Sequence, residues 1–322
     1  MTEMNMVQAL NSALDLSMAA DDSIILLGED IGVDGGVFRV TEGLQKKYGP
    51  ERVNDTPLVE LGIVGMAIGM ALTGLKPIAE IQFQDFIYTA MDQIINQAAK
   101  IRYRSGGQYT VPMVLRTPYG GGIKGGLYHS QSGETYFAHT AGLTVVSPSN
   151  PADAKGLLIS SIGYGDPVIF LEPKRIYRTI KGEVKDGSYA IPLRKAAVVR
   201  EGDDITAITY GSMVPTVRDA FEKNNVNGDI IDLRTLMPFD IETIVKSVEK
   251  TGRVLVVHEA PRTLGLGAEI SAAIAERAME SLLGPILRVT GPDSPFPYRH
   301  EEYYLPNEKR IMKAVNKLSE YR

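Results

Sequence analysis

Cysteine is absent from all 322 positions, as is tryptophan. The first absence excludes disulfides, thiolate zinc sites, iron–sulfur clusters and a cysteine nucleophile together. Histidine is scarce: His129, His139, His258 and His300 form no HExxH pair and no other compact metal spacing. No GxGxxG with a following acidic ribose-binding residue occurs, and no GxxxxGK[ST]. The loop Gly120-Gly-Gly-Ile-Lys124 lacks the Gly-Lys-Ser/Thr ending of a phosphate loop. Nicotinamide and P-loop nucleotide chemistry are therefore set aside. Long apolar runs are missing too. The most apolar stretch, 61–75, stops at Lys76-Pro77, short of the roughly 20 residues a bilayer requires. Residues 1–20 show no basic stretch leading into an apolar run, so no signal peptide is expected and the expected location is the cytoplasm. A net charge of −5 weighs against nucleic acid or an anionic membrane as the main partner.

What is present is ordinary globular material, 44% apolar and 23% charged, on a chain long enough for two domains. Val7, Leu10, Leu14 and Met18 recur at helical steps and predict a first helix ended by Asp21-Asp22. A buried strand follows at 24–27, then a Gly- and Asp-rich loop at 28–36. The next helix is unusual, because Gly62, Gly65 and Gly69 lie along it. Each interior glycine costs about 1 kcal/mol, so a close approach by another backbone, at a subunit contact, is the expected compensation. Strands at 77–82, 111–116, 143–146 and 168–171 alternate with helices at 86–104 and 151–162. That alternation predicts a parallel sheet covered on both faces. The pattern fades over 177–193, a linker, and restarts with strands at 205–210, 229–233, 254–257 and 286–289. Helices near 214–224, 240–250 and 267–283 lie between them. The expectation is α/β, two parallel-sheet domains, divided as 1–186 and 187–322.

Ligands in open parallel sheets bind beyond the carboxyl ends of the strands, and three segments qualify. In Asn54-Asp-Thr-Pro-Leu-Val-Glu60 the carboxylate of Glu60 has Leu58, Val59 and Leu61 as neighbours. Partial burial would suit acid–base work on a heterocycle, although acids are also favoured simply in a helix's first turn. In Glu80-Ile-Gln-Phe-Gln-Asp-Phe86, Gln82 could supply an amide hydrogen bond and Phe86 an aromatic wall to a flat ligand. Core and loop polar residues are the plainer reading. In Gly125-Gly-Leu-Tyr-His-Ser-Gln-Ser132, glycines allow close backbone approach and His129 can titrate near neutrality, or it can be a surface histidine.

Taken in order, several segments resemble the beta subunits of 2-oxoacid dehydrogenase complexes along almost the whole chain. They are Leu27-Gly-Glu-Asp-Ile-Gly, Asp55-Thr-Pro-Leu-Val-Glu-Leu-Gly-Ile-Val-Gly, Glu80-Ile-Gln-Phe and Asp92-Gln-Ile-Ile-Asn-Gln-Ala-Ala-Lys, then Leu127-Tyr-His-Ser-Gln-Ser, Val146-Ser-Pro-Ser-Asn-Pro-Ala-Asp-Ala-Lys-Gly-Leu-Leu and Pro295-Phe-Pro-Tyr. Glu80-Ile-Gln-Phe-Gln-Asp-Phe-Ile and Tyr103-Arg-Ser-Gly are similar to the branched-chain type. The resemblance implies a transketolase-like pyrimidine-binding domain followed by a transketolase carboxyl-terminal domain. It also implies thiamine diphosphate shared with an alpha subunit, which holds the diphosphate and its magnesium through a Gly-Asp-Gly motif. Gly-Asp-Gly is absent here; Gly165-Asp-Pro and Gly228-Asp-Ile do not qualify.

By the same resemblance Glu60 matches the glutamate that hydrogen-bonds the aminopyrimidine, and His129 the histidine that handles protons during acyl transfer to a lipoyl group. Leu58, Gln82 and Phe86 match pyrimidine-pocket positions, with Phe86 standing where many relatives have tyrosine. Relatives often bind potassium through an acidic side chain where Tyr164 stands in this chain, so no metal site is assigned. The implied assembly is an alpha2-beta2 heterotetramer docked to a lipoyl acyltransferase core. Pyruvate and acetoin dehydrogenase beta subunits are the nearest alternatives. A transketolase-like synthase would carry its own diphosphate motif. A non-catalytic docking subunit would tolerate Glu60→Gln.

Overall fold

A computed structural model describes residues 1–321. Among them the strands are β1 (Thr2–Asn5), β2 (Ile24–Gly28), β3 (Val53–Asp55), β4 (Lys76–Glu80), β5 (Val114–Tyr119), β6 (Thr144–Val146) and β7 (Val168–Pro173). There follow β8 (Lys181–Val184), β9 (Ala197–Arg200), β10 (Ile205–Thr209), β11 (Gly228–Asp232), β12 (Thr235–Met237), β13 (Val254–Pro261) and β14 (Leu287–Gly291). One sheet runs β3-β2-β4-β5-β7-β6-β12, and a second runs β9-β11-β10-β13-β14. Neighbours are parallel except at one edge of each sheet, where β12 lies antiparallel to β6 and β9 antiparallel to β11. The expected pair of parallel sheets is present, each with an antiparallel strand added. β12 carries the chain beyond 187 back onto the first sheet.

The first helix, Met6–Ala20, starts at a reciprocal cap. The Asn5 side chain accepts from the Gln8 amide at 2.9 Å, and the Gln8 side chain accepts from the Asn5 amide at 3.0 Å. Its apolar stripe, including Leu10 and Leu14, is fully buried against the helix Pro151–Ile162, which Asn150 caps in turn. Truncating such a leucine costs about 2–5 kcal/mol. These helices cover one face of the first sheet. The core on its other face continues without interruption into the second, joining Leu115 and Val145 to Tyr210, Ile231 and Val256. No helix among the described residues is long and apolar enough to cross a membrane.

Three expectations need correction. The stretch 86–104 is not one helix. It tightens into 3-10 turns over Gln84–Ala90, widens into a π segment over Gln93–Ala98, and ends as one α turn, Ile101–Arg104. The Ala99 amide reaches Ile94 O at 3.0 Å, five residues back. This changing pitch buries the polar Gln84 and Asp85 beside Ile87 and still turns Ile94 and Ala98 inward. The strand expected at 111–116 begins at Val114, paired with Ile78 and Val168; Pro112 has no amide to donate. The linker 177–193 contains β8, which pairs with β1 as a mostly exposed ribbon. With neither face fully buried, no apolar alternation marks it.

Candidate functional site

From β2 the chain first adds β3 on one side and then β4 on the other. In such sheets the ligand crevice is expected where that order reverses, here beyond the carboxyl ends of β2 and β4. Asp30 follows β2 and Gln82 follows β4, and the Gln82 amide spans the crevice to Asp30 Oδ2 at 3.1 Å. Burial, aided by the charges of Asp30 and Glu60, raises the Glu29 carboxyl above its ordinary range.

Glu60 opens the helix Glu60–Leu72, where the dipole favours an anion. It is half-buried, and Oε2 accepts from the Thr89 hydroxyl at 3.4 Å. Thr89 also lies 3.1 Å from Phe86 O, so the 3-10 segment reaches both predicted residues. The apolar neighbours expected around this carboxylate turn away from it. Leu58, Val59 and Leu61 are 69%, 45% and 48% exposed. Their apolar surface faces outward and does not form a pocket within this chain.

His129 lies on the glycine-rich loop after β5. Its ring stands edge to face with Phe83, centroids 4.6 Å apart, and with Phe86 at 5.3 Å. Such pairs contribute about 0.5–1.5 kcal/mol each and fix the imidazole's plane. Phe86 and His129 therefore meet, together with Phe83, while Gln82 is bound to Asp30 and Glu60 to Thr89. Leu58 stands apart on the exposed surface. Phe83, Thr89 and Asp30 were not anticipated. Phe83 lay inside a quoted motif, but a strand continuing to 82 gave no reason to single it out.

Beneath the crevice Arg116, at the centre of β5, is fully buried. It binds Glu172 through Nε at 2.7 Å and Nη2 at 2.9 Å, and Glu80 through Nη1 at 2.7 Å. Tyr177 donates to the same Glu172. Burial works against the guanidinium's charge, but Glu172 and Glu80 outweigh it and raise its pKa. Two carboxylates on strands flanking Arg116 thus lock β4, β5 and β7 together under the site.

The transketolase pyrimidine-binding domain matches residues 2–179, and the transketolase C-terminal domain matches 194–311. A solved split-gene transketolase, an inactive beta4 tetramer, shares the fold with a TM-score of 0.80 at 20% identity, over 99% of each chain. These matches define a chain of the transketolase class. Sequence relatives narrow it. The 2-oxoisovalerate dehydrogenase subunit beta of Pseudomonas aeruginosa is 49% identical over 99% of this chain and 96% of its own. The mitochondrial one of Dictyostelium discoideum is 52% identical over 99% and 87%. The pyruvate dehydrogenase E1 component subunit beta of Bacillus subtilis is 47% identical over the full length of both. The chain belongs to the family of 2-oxoacid dehydrogenase beta subunits.

Proposed function

We propose that this chain pairs with an alpha subunit, in an alpha2-beta2 heterotetramer, to decarboxylate a 2-oxoacid and pass the acyl group to a lipoyl acyltransferase. The division of labour follows 1–186 and 187–322, the first part carrying the pyrimidine pocket and the second offering the dock. The observation that carries the reading is the shared crevice: a carboxylate, an amide, two aromatic faces and an imidazole at one switch point. That donor set fits the aminopyrimidine half of thiamine diphosphate. Glu60 would hold the ring nitrogen, Gln82 would supply an amide, and Phe86 and Leu58 would bound the ring, Leu58 from a face completed by the partner. Without Gly-Asp-Gly in the sequence, diphosphate and magnesium fall to the alpha subunit.

When bound, the cofactor supplies the electron sink for loss of carbon dioxide. The chain supplies proton handling. Glu60 Oε2, beside the Thr89 hydroxyl, would hold and exchange a proton with the ring nitrogen. His129, its plane fixed by Phe83 and Phe86, serves as acid and base during acyl transfer. Branched-chain 2-oxoacids are the favoured substrates, on the Glu80–Ile87 and Tyr103–Gly106 stretches; the full-length match to a pyruvate enzyme supports pyruvate as the second reading. In the assembled enzyme, Glu60→Gln is expected to lower turnover about 10²–10⁴-fold. His129→Asn should spare dye-linked decarboxylation and abolish lipoyl acylation. Parental turnover by Glu60→Gln would leave only a docking role. A kcat/KM for pyruvate above that for 2-oxoisovalerate would reverse the substrate preference.

A further inference from the structure

The segment 120–131, which carries His129, is a closed loop. The Gly120 amide donates to Gln131 O at 2.9 Å across its neck. Inside it, Gln131 Nε2 donates to Leu127 O at 2.7 Å, and the Gly125 amide to Ser130 Oγ at 3.2 Å. Its anchors to the body are carboxylates. The Gly121 amide donates to Glu259 Oε2 at 2.9 Å, the Gly122 amide to Glu301 Oε2 at 2.8 Å, and the Gln131 amide reaches Asp85 Oδ1 at 3.4 Å. Glu259 lies on β13 and Glu301 opens the turn Glu301–Tyr304. Two of these three anchors therefore come from the second half of the chain, while His129 meets Phe83 and Phe86 of the first.

The fit around those amides is tight. A Cβ on Gly121 would lie 2.8 Å from Phe296 Cζ and 3.0 Å from Leu305 Cδ1, and one on Gly122 would lie 2.7 Å from Arg175 Cβ. Gly122 also holds φ at +100°, a conformation that favours glycine. Beside the anchors sits Lys174, buried, its Nζ without a hydrogen-bond partner among the described residues. Burial pulls its pKa down to about 8 against the opposing charges of Asp85, Glu259 and Glu301. The same Nζ is 5.7 Å from the centre of the Phe83 ring, which touches His129. Three buried acids, Asp85, Glu259 and Glu301, are a costly way to fill a core. Gripping backbone amides through charge-assisted bonds gives them a use that apolar residues could not serve.

We propose that Glu259 and Glu301, with Lys174 as their shared counter-charge, are positioning residues that hold loop 120–131, and with it His129, in register with Phe83 and Phe86. The proposal rests on the reading of His129 as an acyl-transfer residue. It makes the second half of the chain part of the site's architecture in addition to its docking role.

The test uses the full chain assembled with its alpha subunit, reading hydrogen exchange of peptides spanning 120–131 alongside lipoyl acylation. Loss of a bond to a charged acceptor in Glu301→Ala should raise exchange about tenfold or more, equivalent to about 1.4 kcal/mol. Acylation kcat should fall about tenfold, a similar free energy, with KM for the 2-oxoacid within about twofold. Glu301→Gln keeps an acceptor oxygen and should restore both readings to within about threefold of the parent. Lys174→Met, close in shape, should loosen the same peptides even if Glu301→Ala fails to fold. Unchanged exchange in Glu301→Ala, or in Lys174→Met, overturns that residue's part in the anchor. A loosened loop with parental acylation overturns the positioning role. If His129→Asn also acylates normally, the fault lies with the reading of His129 and not with the anchor.

Discussion

The outer face of the helix Glu60–Leu72 and the seam beneath loop 120–131 invert the usual distribution of residue types. On the helix, apolar Leu61, Met66 and Leu72 are exposed, and a Cβ placed on Gly69 would meet nothing within 4 Å beyond its own stretch of helix backbone. In the seam, Asp85, Lys174, Glu259 and Glu301 are buried. Each arrangement is unfavourable by itself, and each is explained by what it serves. Exposed contiguous apolar surface marks a place where another molecule sits, which agrees with the proposed subunit contact at the glycine helix. Buried charges that grip backbone amides mark a segment whose position matters more than its stability.

The largest effect is expected on the buried side. Arg116→Ala strands Glu80 and Glu172 in the sheet and is expected to cost about 3–5 kcal/mol, read by urea denaturation of the chain. A loss below about 1 kcal/mol would mean that the carboxylates find protons or water there and that the lock is unimportant. On the outer face the largest effect should be on association. Leu61→Asp is expected to weaken binding to the alpha subunit by about 2 kcal/mol or more, seen in sedimentation, with the isolated chain's melting temperature unchanged. Undiminished assembly would remove this face from the subunit contact.

A smaller test separates two other buried residues, His258 and Asp232, by pH. Burial, with some help from Arg288, depresses the His258 imidazole to about 4. Between its ordinary 6.5 and that value the unfolded chain binds the extra proton, so stability is lost as pH falls. Burial raises the Asp232 carboxyl to about 7 even though Ser149 donates to it. Between 3.8 and 7 the folded chain binds the extra proton, and stability is lost as pH rises. From pH 4 to 6.5 the two contributions therefore oppose each other. Asp232→Asn should lose about 1–2 kcal/mol toward the acid end, and His258→Asn should slope the opposite way. Parallel profiles for the two variants would contradict both assignments. The smallest effect is Gly69→Ala, expected to stabilise the isolated chain by up to about 1 kcal/mol while weakening assembly. Stabilisation of both would leave the glycine without a packing reason.

Periodicity made the layered core legible wherever an element is amphipathic and several turns long. Met6–Ala20, Pro151–Ile162 and the strands β2, β7, β10 and β11 fall close to their expected ranges. β12 and β9 did not, since strands of three or four residues at a sheet edge carry little pattern. Of the candidate site, Phe86 and His129 lie ring against ring; a strand end and a glycine loop are what singled them out in the sequence. Glu60 is half-buried, in line with the partial burial its apolar neighbours suggested. Leu58, Val59 and Leu61 themselves are exposed, because at a helix start successive side chains point in different directions. The seam was invisible for a different reason. Lys174, Glu259 and Glu301 are far apart in sequence, and nothing in a single chain of letters distinguishes a buried acid from a solvated one.

The most direct test of a site completed by a second chain is calorimetric titration of thiamine diphosphate with magnesium, into this chain alone and then into its mixture with the alpha subunit. Tight binding is expected only in the mixture, and Glu60→Gln should abolish it. Tight binding to the isolated chain would contradict the shared site and place a diphosphate-holding site within these 322 residues.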